Sequence, residues 1–153
     1  MSNHLHVIAE SDGREALSRG MQAFATRLGK AINRVLERRG SVFAGRYHAR
    51  ALATPTEVRN ALRYVLLNAR HHAHETGRVL PAQWIDPCST AVSFDGWARA
   101  VPLNELLDLG TSPARSWLLR IGWRRLGLLD PAEVPGAPNG ASVTHTTPLR
   151  RAA

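Results

Sequence analysis

The chain has 153 residues, 44% of them hydrophobic, enough for one modest core with appendages. Its formal charge is +8, and Lys30 is the only lysine among 20 basic side chains, so the arginine forks suit a polyanion. A single cysteine, Cys88, excludes a disulfide framework and a cysteine-built zinc site. No apolar run is long enough for a signal peptide or a membrane span, so the expected setting is cytoplasmic, with no membrane partner.

The charge is uneven. Residues 1–78 hold 13 basic and 6 acidic side chains, and residues 79–153 hold 7 and 6. Biased gene composition would explain arginine over lysine, but not its concentration in one half.

In chain order, "NHLHVIA" (3–9) reads as a short strand, with His4 and His6 on one face and Leu5 and Val7 turned to a core. A long helix follows, its apolar stripe at Leu17, Met21, Phe24, Leu28, Ile32 and Val35, with Gly40 as the stop. "SVFAGRYHARAL" (41–52) reads as a strand or hairpin arm, Arg46, His48 and Arg50 alternating onto one face. Tyr47 falls on the opposite face and reads as packing.

The clearest element is a helix over 55–76: Thr54 as N-cap, Pro55 at the first helical position, Glu57 completing a capping box and Gly77 as terminator. Val58, Leu62, Val65, Leu66 and Ala69 make its apolar arc, Glu57, Asn60, Tyr64, Asn68 and His71 a second, and Arg59, Arg63 and Arg70 a basic edge. Tyr64 and Asn68 are one turn apart. His71, His72 and His74 lie at the negative end of the helix dipole and read as capping.

From residue 79 the signals weaken. A Pro-rich connection carries Trp84, a short helix is expected around 102–109, and another runs from Pro113 to about Leu126 with Trp117, Leu118, Ile121 and Leu128 packing. The tail, 135–153, is rich in Pro, Gly, Ser and Thr and reads as disordered. There is no internal repeat.

Two imidazoles side by side are the start of a metal site that needs a further ligand from elsewhere. A His-x-His pair, a helical tyrosine and a mid-helix asparagine are weak signals separately, but here they come in order and in a basic setting. In that order the chain resembles the REP-associated tyrosine transposases, single-tyrosine HUH enzymes. "NHLH" matches the His-hydrophobe-His motif, "RRGSVFAGRYHAR" is close to the family's Gly-x-x-Phe-x-Gly-Arg-Tyr segment, and "LRYVLLNAR" is similar to its tyrosine helix. The resemblance covers residues 1 to about 80. It departs where the family has proline after the asparagine and this chain has Ala69.

The resemblance implies an α+β fold, a ferredoxin-like antiparallel sheet with packed helices, truncated because the motif begins at residue four. Residues 1–80 would be the catalytic domain without its front part, 81–134 a partly helical extension and 135–153 the tail. It implies Tyr64 as nucleophile, with His4, His6 and Asn68 holding Mg²⁺ or Mn²⁺. The substrate would be single-stranded or hairpin DNA, cut through a 5′-phosphotyrosine link in transposition. Arg46, His48, Arg50 and Arg63 would contact the DNA, Arg63 also standing near the phenol. A homodimer sharing sites between chains fits the family too. Two other readings stay open: an inactive remnant that only binds DNA, and a small metal-binding or interaction protein.

Overall fold

The computed structural model describes residues 4–101 and 111–136. The described chain divides into two compact units, one formed by Ala9–Leu52 and the other by residues 4–8 together with the chain from Ala53 onward. The first residues therefore group with the C-terminal part of the chain, and not with the long helix that directly follows them.

Among the described residues there is no β-strand, only an isolated parallel bridge between Trp97 and Leu129. This overturns the expected ferredoxin-like sheet and both expected strands, at 3–9 and 41–52. A strand exists only as half of a hydrogen-bonded pair, and neither segment has a partner among the described residues. The alternation of the first segment survives with its faces exchanged. His6 and Ile8 are half-buried, whereas Leu5 and Val7 are 53% and 46% exposed.

The Ala9–Leu52 unit is built on α1, Arg14–Val35. Its apolar stripe leaves no residue buried, and Leu17, Met21, Leu28 and Ile32 are only half-covered. The chain after it is pinned back at three points. Asn33 Nδ2 donates to Gly40 O at 2.8 Å, Arg38 donates to Ser41 O at 3.2 Å, and the Ser41 hydroxyl donates to Phe43 O at 2.7 Å. Val42 and Phe43 sit over Gly29, where an added Cβ would lie 3.8 and 3.9 Å from them.

The other unit centres on α2, Pro55–Leu66, which begins as its capping box dictates. The Thr54 hydroxyl accepts from Glu57 N at 3.2 Å, and the Glu57 carboxylate accepts from Thr54 N at 3.1 Å. The expected single helix is broken at Leu67, and α3, Asn68–Glu75, follows it. α3 closes on a Schellman turn: Arg78 N donates to Ala73 O, Gly77 N donates to His74 O, and Gly77 takes φ 70°. Its end is capped by the Thr76 hydroxyl, donating to His72 O and Ala73 O, and not by the histidines.

Val58, Leu62, Leu66 and Leu67 are buried, and α2 packs on a 3-10 turn, Gly122–Leu126, and on α4, Trp117–Arg120. The expected helix from Pro113 to Leu126 thus exists only as these two short pieces. Trp117 is 50% exposed while Trp123, 1% exposed, is the core tryptophan. Ile121 separates the two pieces, and the Trp117 ring lies against Gly122 so closely that a Cβ there would be 2.7 Å from the ring. Trp123 stacks on Phe94 with centroids 5.5 Å apart, and Phe94 meets Trp97 edge-on at 5.2 Å. Ala91, Leu129, Pro131, Ala132 and Val134 complete the core. The stretch expected to be an extension is therefore the other half of the core around the tyrosine helix. The helix expected at 102–109 lies outside the described residues, as does the tail after Gly136; Pro135, placed in that tail, is buried.

Candidate functional site

Residues 4–8 belong to the same unit as α2 and α3, and of the side chains singled out from the sequence His4, His6 and Tyr64 come together there. The His6 ring meets the Tyr64 ring edge-on, centroids 5.0 Å apart, and His4 stands 5.9 Å from His6. The Tyr64 ring is also 6.1 Å from His71, which stands 5.4 Å from His72. Tyr64 itself remains exposed.

Two polar atoms in this group are buried and have no hydrogen-bond partner among the described residues: His6 Nε2 and Asn68 Oδ1. Such orphans are uncommon, because each forfeits about 1–3 kcal/mol of hydration without return. Burial, then the nearby charges of His4 and His72, lowers the His6 pKa below its ordinary 6.5, so the ring is held neutral with a lone pair to offer. Asn68 lies one turn before His72 on α3. A neutral imidazole and an amide oxygen, both lacking partners, are a donor set that fits a hard or borderline divalent cation. Among the described residues no three His, Cys, Asp or Glu side chains are arranged to hold a metal. A cation here would accordingly depend on the amide oxygen and on water as well as imidazole.

His71 and His72 of α3 lie against acceptors. His72 Nδ1 lies 2.9 Å from Glu75 Oε2, and His71 Nε2 lies 3.4 Å from Glu75 Oε1. His71 Nδ1 meets Pro135 O at 2.8 Å, so it donates there. The hydrogen bond from His72 chiefly holds the Glu75 carboxyl below the usual carboxylate range. The sequence offered one hint of this arrangement, the i, i+3 and i, i+4 spacing of His72 and His71 to Glu75.

The basic edge read on the tyrosine helix is turned inward. Arg59 donates to Gly127 O, Leu128 O and the Glu133 carboxylate at 3.0–3.1 Å. Arg63, expected beside DNA and phenol, pairs with Glu133 at 3.6 Å. Arg70, only 6% exposed, donates to Leu80 O, Pro81 O, Ala82 O and Trp84 O, closing the loop after α3. Arg46, His48 and Arg50 lie exposed in the other unit, on backbone without regular structure.

Among the described residues no helix is long and apolar enough to cross a membrane. The chain matches no family model, no curated protein and no solved structure.

Proposed function

We propose that the chain is a transposase-type, cytoplasmic single-strand DNA endonuclease and strand transferase, with Tyr64 as nucleophile and a Mg²⁺ or Mn²⁺ ion held by His4, His6 and Asn68. The observation that carries the reading is the meeting of His6 with Tyr64, ring centroids 5.0 Å apart, beside the orphaned His6 Nε2 and Asn68 Oδ1. Asn33 Oδ1, Arg63 Nε and Arg70 Nε are buried and unmet as well; what sets His6 Nε2 and Asn68 Oδ1 apart is that both are ligand-type atoms accompanying Tyr64, one through ring contact and one four residues on in the chain.

In this reading Tyr64 Oη attacks the phosphorus of a scissile diester in single-stranded or hairpin DNA. A phosphorus–oxygen bond to Tyr64 forms, and the bond to the 3′ oxygen breaks. The phenol proton passes to solvent, and the departing 3′ oxygen takes a proton from it. The product is a 5′-phosphotyrosine and a free 3′-OH, and reversal by another 3′-OH rejoins strands without ATP. When bound, the divalent ion supplies positive charge against the non-bridging phosphate oxygens. His6, kept neutral by its burial, presents its lone pair without first losing a proton. The His6 ring packs edge-on against the Tyr64 ring and so limits where that side chain can sit.

Among the described residues no sheet lies behind residues 4–8, and this favours a second reading, a chain that binds DNA without cutting it, because a precise site wants rigid support. One experiment separates them. The full chain is incubated with a labelled hairpin oligonucleotide and Mn²⁺, then run in denaturant. Retarded label that vanishes in Tyr64→Phe and falls in His6→Ala supports cutting. Salt-sensitive retardation in native gels with no denaturant-stable adduct overturns it in favour of binding alone.

A further inference from the structure

The sequence places Tyr47 on a packing face, but Tyr47 is 44% exposed and makes no hydrogen bond or ring contact among the described residues. Its neighbours Arg46 and His48 are likewise exposed and unpartnered there, as is Arg39. From Arg38 to Arg50 the sequence carries four arginines and one histidine, and no acid. Arg38 is spent on Ser41 O, whereas in the other unit Arg59, Arg63, Arg70, Arg99 and Arg124 meet carboxylates or carbonyls.

The chain leading to this triplet is fixed. The turn over 38–43 is bonded to the end of α1 and to itself, and Val42 and Phe43 rest on Gly29. After that anchor, residues 44–50 carry no regular structure and are exposed throughout. A large ring on an anchored segment, flanked by Arg46 and His48, keeps close to half of its surface open to solvent. What it offers is an open π-face beside positive charge.

We infer that Arg46, Tyr47 and His48 form a stacking platform for an unpaired base of single-stranded DNA, the Tyr47 ring taking the base and its basic neighbours the flanking phosphates. The inference takes its partner from the proposed function, but it does not require cutting. Stacking needs a base whose face is free, which duplex DNA does not present. Phosphates alone would account for the cations and leave the ring without a role. The segment 38–50 offers a protein partner no acid to meet, and the same segment of a second copy would bring like charge to it.

The test is equilibrium binding of the full chain in EDTA, so that the outcome is independent of any adduct. The probe is an oligothymidine of roughly 15 nucleotides and the same strand with abasic sugars at its centre. Tyr47→Ala is expected to weaken binding to the intact strand about tenfold, Tyr47→Phe to leave it unchanged, and neither to affect the abasic strand. Because Tyr47 is exposed, the thermal midpoint of Tyr47→Ala should equal that of the parent, which a circular dichroism melt checks. Equal affinity of Tyr47→Ala and parent for the intact strand overturns the inference, as does an equal loss on the abasic strand. Failure of the hairpin to form an adduct overturns the nuclease reading and leaves this measurement standing.

Discussion

His6 is the residue on which site and stability meet. Its imidazole is half-buried with Nε2 unpartnered, and burial followed by the charges of His4 and His72 lowers its pKa from 6.5. The folded chain therefore binds a proton at His6 less readily than the unfolded chain does. Above pH 6.5 both states are neutral there and the full stability is present; as pH falls through the folded pKa, the unfolded state gains and stability is lost. Glu75, whose carboxyl is held low chiefly by the hydrogen bond from His72, keeps its contribution above the ordinary carboxylate range and loses it only in more acid solution, outside the window in which His6 acts. Comparing parent with His6→Gln isolates the first effect. In EDTA, the urea midpoint of the parent should fall more steeply than that of His6→Gln between roughly pH 7 and pH 5. Parallel curves would mean that His6 is not held neutral by the fold. The pairing of His4 and His6 was legible as a spacing, and so was the Tyr64 to Asn68 turn. The orphaned atoms were not, because burial of a single side-chain atom is a property of the folded packing and leaves no mark in local spacing.

At the scale of elements, legibility followed where the determining contacts are local. The start of α2 is written in four consecutive residues, Thr54 to Glu57, and its capping box forms as read. The end of α3 is equally local, because Gly77 supplies the positive φ that a Schellman turn demands. The break at Leu67 has no Gly or Pro to announce it. Its neighbours are held from outside the helix: Leu67 is buried, Arg70 is drawn to carbonyls at 80–84, and His71 to Pro135. The core opposite α2 was illegible for the same reason. It is made of turns and 3-10 pieces whose apolar residues follow neither a helical nor a strand period. Gly96 shows how tightly that core closes. A Cβ there would stand 2.3 Å from the Trp123 ring and 2.5 Å from Phe94, and the buried Trp123 is further fixed by its Nε1–H donating to Leu119 O. Gly96→Ala should therefore destabilise the chain by about 1–3 kcal/mol through overpacking. The drop is read as a lower urea midpoint. A midpoint equal to the parent's would show that the stacked rings yield freely.

For the whole molecule, the deciding quantity is which charges are already spent. Composition concentrates basic residues in the first half, but the count cannot say which guanidinium groups face solvent. Arg59 and Arg63 share Glu133, Arg70 serves four carbonyls, Arg99 pairs with Asp130, and Arg124 pairs with Asp95 while lying over the Trp123 ring. Those five cations hold one unit together and are poorly placed to release counterions from a phosphate backbone. In the Ala9–Leu52 unit, Arg39 and Arg46 have no such partners among the described residues. The two sets separate in the salt dependence of binding to single-stranded DNA. Replacing Arg39 and Arg46 together with Gln should reduce the log–log salt slope by about 0.7 for each phosphate contact removed and leave the thermal midpoint unchanged. Replacing Arg59 and Arg63 with Gln should do the reverse: the midpoint falls, because Glu133 is left half-buried without a cation, and the slope holds at temperatures where circular dichroism shows the variant folded. A slope that drops in the second variant would return Arg63 to the DNA surface where the sequence first put it. It would also mean that Glu133 yields its arginines when a phosphate competes for them.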